Sequence, residues 1–149
     1  MKKVLKNPLN LILSIVLLLA IIGILIGIRP MVIMSGSMEP ELSTGSLCFV
    51  NTKASFGKVE EGDIITYKLL EGKVTHRAVE ITDKGIITKG DANRVNDLGA
   101  VTEDTFYGKV FFNIPYAGYC LHFVKRNLVA FILIIVGLIL MPWKKIFPR

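Results

Sequence analysis

Histidine, cysteine and tryptophan are scarce in this chain, numbering two, two and one in 149 residues. His76 and His122 stand alone, and neither Cys48 nor Cys120 has a companion at metal-ligand spacing, so no metal site and no cofactor are expected. Two cysteines so far apart do not imply a disulfide either. A basic excess is missing from the middle of the chain: between Pro30 and Asn127, 11 lysines and arginines face 12 acids. The formal charge of +6 therefore belongs to the flanks and Arg29. That leaves no basic patch for a nucleic acid, and no nucleic-acid partner is expected. The same stretch holds no repeat, no low-complexity tract and no helix-period segment of useful length.

What the chain has in surplus is apolar residues, at 52%. They gather at the two ends. Leu9 to Ile28, "LNLILSIVLLLAIIGILIGI", runs 20 residues without a charge. At about 1.5 Å per helical residue it matches a hydrocarbon core of roughly 30 Å, which predicts a first transmembrane helix over 9–28. Leu128 to Met141 is a shorter apolar run. Trp143 as an interfacial aromatic and Lys144 and Lys145 as snorkelling cations extend it to about Phe147, which predicts a second span over 128–147. Lys2, Lys3 and Lys6 precede the first span and Lys144, Lys145 and Arg149 follow the second, so both termini, 1–8 and 148–149, are expected on the cytoplasmic side. A cleaved signal peptide fits the N-terminus less well, because its apolar region is about 7 to 15 residues with the cut close behind.

Residues 30–127 read as an extracytoplasmic β domain. β-rich runs recur at 46–51 (SLCFVN), 63–68 (DIITYK), 73–82 (KVTHRAVEIT), 86–89 (IITK) and 105–114 (TFYGKVFFNI), separated by glycine- and acid-bearing turns. The expected fold is mainly β, a small antiparallel domain carried on two transmembrane helices.

Amide hydrolysis by a serine needs a base for the hydroxyl proton and donors for the tetrahedral oxyanion. Ser37 is the candidate nucleophile, in "SGSMEP" after the first apolar run. His76 is the sole histidine of the β region, and Asp91 and Asp97, in "KGDANRVND", are candidate orienting carboxylates. Each alone has an ordinary reading as a turn or surface residue.

Together, "SGSMEP", "THRAV" and "KGDANRVND" resemble, in order and spacing, the serine, base and glycine–aspartate–x–asparagine boxes of type I signal peptidases, with "GDIITY" at 62–67 between them. Ala92 departs from the asparagine many relatives carry there. His76-Arg77, where bacterial-type members carry Lys-Arg, resembles the endoplasmic-reticulum-type branch, also found in archaea and some Gram-positive bacteria. The resemblance implies an all-β catalytic domain and a membrane-anchored endopeptidase that removes signal peptides after small residues. Ser37 would be nucleophile, His76 general base, and the Ser37 amide and the Ser35 hydroxyl oxyanion donors. Asp97 matches the aspartate aimed at histidine, while the spacing of Asp91 suits an Asx-type turn.

Met31, Val32, Ile33 and Met34 are candidates for a strand that pairs with the extended substrate. The aromatic "FFNIPYAGY" at 111–119 is a candidate for lying at a membrane surface. The expected partners are signal-peptide-bearing precursors and a lipid bilayer, with accessory subunits open. The expected location is a prokaryotic plasma membrane, multi-pass, or alternatively the endoplasmic reticulum membrane. The rival reading is a non-enzymatic membrane-anchored β domain serving as a subunit or receptor. A self-cleaving regulatory protease would call for a lysine base.

Overall fold

Alternation explains most of this structure, a computed structural model that describes residues 8–70 and 72–127 together with 129, 132–134, 136 and 137. Six strands form one antiparallel sheet: β1 (Ile28–Val32), β2 (Leu47–Asn51), β3 (Ile64–Leu69), β4 (Gly72–Thr82), β5 (Gly85–Lys89) and β6 (Phe106–Ile114). Their order across the sheet is β1-β2-β6-β3-β4-β5, so β6 returns to fill the gap between β2 and β3. Five of the six begin within a residue of the runs read from sequence, because those runs carry β-branched and aromatic residues bounded by turn formers.

Side chains two apart on a strand share a face. On β3, β4 and β5 one face carries Ile65 and Tyr67, then His76 and Ala78, then Ile86 and Thr88, with Ile65 opposite His76 and Ala78 opposite Thr88. Ile65, Tyr67, Ala78 and Ile86 pack there with Val59 and Val101 into one apolar cluster. A second cluster of Ile33, Met38, Leu42 and Cys48 lies under the turn that carries Ser37. Its Cys48 thiol is pushed up to about 11 by burial, which leaves it a packing residue. Both cysteines are free.

Two sequence expectations are corrected. The expected fold with two transmembrane helices is not what forms: among the described residues no helix is long and apolar enough to cross a membrane. The 20-residue run is divided. Helix α1 covers Pro8–Leu25, about 27 Å at 1.5 Å per residue against a core of roughly 30 Å. Gly27, at φ 91°, then turns the chain, and Ile28 begins β1 opposite Asn51. The two residues after β2 hold that turn: Lys53 Nζ donates to the Leu25 carbonyl at 3.0 Å, and the Thr52 amide and hydroxyl donate to the Gly27 carbonyl at 2.9 and 2.8 Å. The last apolar residues are thus used as turn and strand. The multi-pass location expected from the two spans gains no support from the described residues. Most of the expected second span, 128–147, lies outside the described residues.

The second correction is a helix, α2 (Ala117–Arg126), inside the region read as all β. β6 ends at Ile114, and the aromatic segment 111–119 is therefore split between strand, turn and helix. The Gly118 amide donates to the Gly45 carbonyl at 2.8 Å. Residues 20–119 make one compact unit, which contains the whole sheet; the described start of α1 and the rest of α2 belong to another.

Candidate active site

The Ser37 turn is fixed from below and from the side. Gly36–Met38 form a single 3₁₀ turn whose Met38 side chain is 1% exposed and anchors it in the second apolar cluster. On its flank the Ser37 carbonyl accepts the Ala92 amide at 2.9 Å. That approach needs a glycine at 90, since a Cβ there would stand 2.5 Å from the Ser37 carbonyl oxygen and 2.8 Å from Asn93 Nδ2. The glycine of the third sequence box is thus a packing requirement of the serine turn.

Ser37 Oγ lies 3.0 Å from His76 Nε2, and His76 Nδ1 lies 2.6 Å from Asp97 Oδ2. Ser35 Oγ is 3.2 Å from Ser37 Oγ. His76 is 8% exposed, on the buried face of β4. Asp97 comes from the loop after β5, which folds back so that the Asp97 amide donates to the Thr88 carbonyl at 2.8 Å. Burial alone would raise the Asp97 pKa. Hydrogen bonds from His76 and Thr88, the imidazole's charge and a hydrogen bond from Tyr67 outweigh it and hold the carboxyl below its usual value.

Asp91 has a different setting. Arg77 Nε and Nη2 donate to its two oxygens at 2.8 and 2.6 Å, and Arg77 Nη1 donates to the Gly62 carbonyl at 2.8 Å. The Asx-type turn expected of Asp91 is replaced by this bidentate ion pair, which staples the loop to β4. The Arg77 pKa is raised, first by the hydrogen bond to Asp91.

Met31 to Met34 line a cavity of about 340 Å³ together with Ser35, Ser37 and residues 73–76. β1 pairs only with β2, so its far edge is free of sheet partners among the described residues. Ile33 differs from its neighbours: its side chain is buried, its amide donates to the Ser46 carbonyl at 2.9 Å, and its carbonyl accepts the Gly45 amide at 2.8 Å. β1 ends at Val32, so of Met31 to Met34 only the first two are strand, and by alternation the backbone polar groups of Val32 face away from β2.

Sequence reasoning missed two groups at the site. Thr88 Oγ1 donates to Asp97 Oδ2 at 2.7 Å and Tyr67 OH donates to the same oxygen at 3.0 Å. Thr88 is fully buried beside Ile86. A hydroxyl residue on the inward face of a strand was the available signal. Among the described residues no cluster of histidine, cysteine and acidic side chains could hold a metal ion.

A hydroxyl, an imidazole and a carboxylate in hydrogen-bonded series are the layout used by serine hydrolases. Residues 5–90 match the family described as "Signal peptidase, peptidase S26". Signal peptidase I W of Bacillus subtilis is 40% identical over 77 residues, which cover 48% of this chain and 40% of that protein. The signal peptidase complex catalytic subunit sec11 of Neurospora crassa is 33% identical over 102 residues, 59% of each chain. SEC11 of Lodderomyces elongisporus, of the same description, is 32% identical over 111 residues, 64% of this chain and 65% of the relative. The match thus spans less than two thirds of the length of each of these relatives. The chain belongs to the signal peptidase family, peptidase S26, as a type I member of the endoplasmic-reticulum, SEC11-like type.

Proposed function

We propose that the protein is a serine endopeptidase that removes signal peptides from secreted precursors by a Ser-His-Asp mechanism. The observation that carries this reading is the series Ser37 Oγ, His76 Nε2, His76 Nδ1, Asp97 Oδ2, with spacings of 3.0 and 2.6 Å across the imidazole. The neutral imidazole accepts the Ser37 proton at Nε2 as Oγ attacks the scissile carbonyl. Asp97 accepts the Nδ1 proton's hydrogen bond, fixes the tautomer and stabilises the imidazolium that forms. The imidazolium then protonates the leaving amine, and water repeats the sequence on the acyl-enzyme. The Ser37 amide and the Ser35 hydroxyl serve as oxyanion donors; the latter is supported by its place beside Ser37 Oγ.

The free edge of β1 suits an extended substrate, with Val32 offering its backbone groups and the cavity above Ser37 receiving small side chains. Ile33, whose side chain packs in the core, supports this edge from beneath. The relatives described as catalytic subunits of a signal peptidase complex support accessory subunits for this chain as well.

The test is incubation of the purified protein with a signal-peptide-bearing precursor, followed by mass mapping of the products. The expected result is one cut after a small residue. No cut with any precursor would replace this reading with that of a non-catalytic β domain. His76→Lys should be nearly inactive, because a lysine ammonium without a prepared pocket keeps its proton near neutral pH. Substantial activity in that variant would show that the site works as a serine–lysine dyad.

A further inference from the structure

We infer that Tyr67 and Thr88 are positioning residues for the peptidase reaction, acting through Asp97: their two hydroxyls hold the carboxylate oxygen that faces the imidazole. The inference rests on the catalytic reading of Ser37, His76 and Asp97. Asp97 belongs to a loop, and its backbone is tied to the sheet near the site by the hydrogen bond that its amide donates to the Thr88 carbonyl. A carboxylate on such a mounting has two side-chain torsions to lose before it can aim at an imidazole. It also has room to turn, because Asp97, Tyr67, His76 and Thr88 all line a cavity of about 450 Å³.

Three donors converge on one oxygen, Oδ2, from three adjacent strands: Tyr67 from β3, His76 from β4 and Thr88 from β5. Their positions follow from register. Val74, opposite Tyr67, and Ala78, opposite Thr88, stand two residues before and two residues after His76 on β4, so all three donors leave the sheet on one face. The Thr88 hydroxyl is fully buried and Tyr67 is 6% exposed. Valine and phenylalanine would fill the same space without a polar atom, and a buried hydroxyl is unfavourable unless it is hydrogen-bonded. Packing alone therefore gives no reason for either oxygen, whereas the Asp97 carboxylate does. Burial first, with the negative charge of Asp97 and the hydrogen bond to it adding, pushes the Tyr67 phenol up to about 12, which keeps its proton in place as a donor.

The experiment measures kcat and KM of Tyr67→Phe, Thr88→Val and Thr88→Ser on one precursor peptide, with melting temperatures and a Ser37→Ala control. Tyr67→Phe and Thr88→Val should each lower kcat about tenfold with KM unchanged, the pattern of an interaction expressed in the transition state. Thr88→Ser, which keeps the oxygen and removes a methyl group, should restore kcat to within about twofold of the parent. Unchanged kcat in both hydroxyl-free variants, with Ser37→Ala inactive, would overturn the positioning role and leave the catalytic reading standing. Activity in Ser37→Ala would overturn the catalytic reading itself. If Thr88→Val fails to fold, Tyr67→Phe decides alone, since it deletes one oxygen and keeps the ring in the core.

Discussion

Asp91 and Asp97 sit six residues apart in one loop and meet neighbouring residues of the same strand. Asp91 is taken by Arg77, and Asp97 by His76. Adjacent side chains on a strand leave on opposite faces, so the loop gives one carboxylate to each. The Arg77 guanidinium occupies both Asp91 oxygens and reaches on to the Gly62 carbonyl, which makes Asp91 a fastener. The oxygen of Asp97 is shared among an imidazole and two hydroxyls, which leaves it aimed at the His76 ring. What separates two similar carboxylates is the strand residue each one meets, and motif spacing alone does not carry that information.

Substitution of each carboxylate by its amide breaks or sharpens the contrast. Asp97→Asn keeps shape but favours the wrong imidazole tautomer, and kcat for precursor cleavage should fall by about 10⁴ with circular dichroism unchanged. Near-normal turnover would remove Asp97 from the mechanism. Gly90→Ala lies between the two cases. Its Cβ would push the Ser37 carbonyl from the loop, and a displacement of that order should cost about 10²-fold in kcat. A fully active Gly90→Ala would mean that the serine turn does not depend on the loop's close approach. Asp91→Asn should leave kcat within a few-fold. It should lower stability by about 1 kcal/mol, given that Arg77 is partly exposed, and so lower Tm by about 3 °C. Loss of activity without loss of stability would reverse the two roles.

The smallest effect is a pH dependence. The folded state holds the Asp97 carboxyl below its ordinary value. A depressed carboxyl pKa contributes stability that is fully present above the unfolded value, about 3.9, and is lost as pH falls through the lower folded value. Tm should therefore decline over that acidic window, and Asp97→Asn should flatten the decline. An identical pH profile of Tm in the variant would show that the network does not stabilise the ionised carboxylate.

Five of the six strands were legible because their runs are rich in β-branched and aromatic residues and end in turn chemistry, as at "DKG" between β4 and β5. The end of α1 was not legible. Nothing in an uninterrupted apolar run marks that Gly27 will turn the chain and that Thr52 and Lys53, in the turn after β2, will cap it. α2 escaped because its ten residues mix aromatic, basic and small side chains, which read equally as an interfacial segment. Within the site, Ser37, His76 and the two aspartates could be named from three short boxes. The choice between the aspartates and the hydroxyls of Tyr67 and Thr88 depend on register across β3, β4 and β5. Register is a long-range property that no local window contains.

The central claim is that Ser37 attacks the substrate with His76 as base. The most direct measurement is precursor cleavage by Ser37→Ala at matched folding, judged by circular dichroism and Tm beside the parent protein. The substitution removes one oxygen from a turn held by Met38 and by the Ala92 amide, so the fold should persist. The account predicts a folded protein with no cleavage above background. Cleavage at the same bond at a rate near that of the parent protein would contradict it.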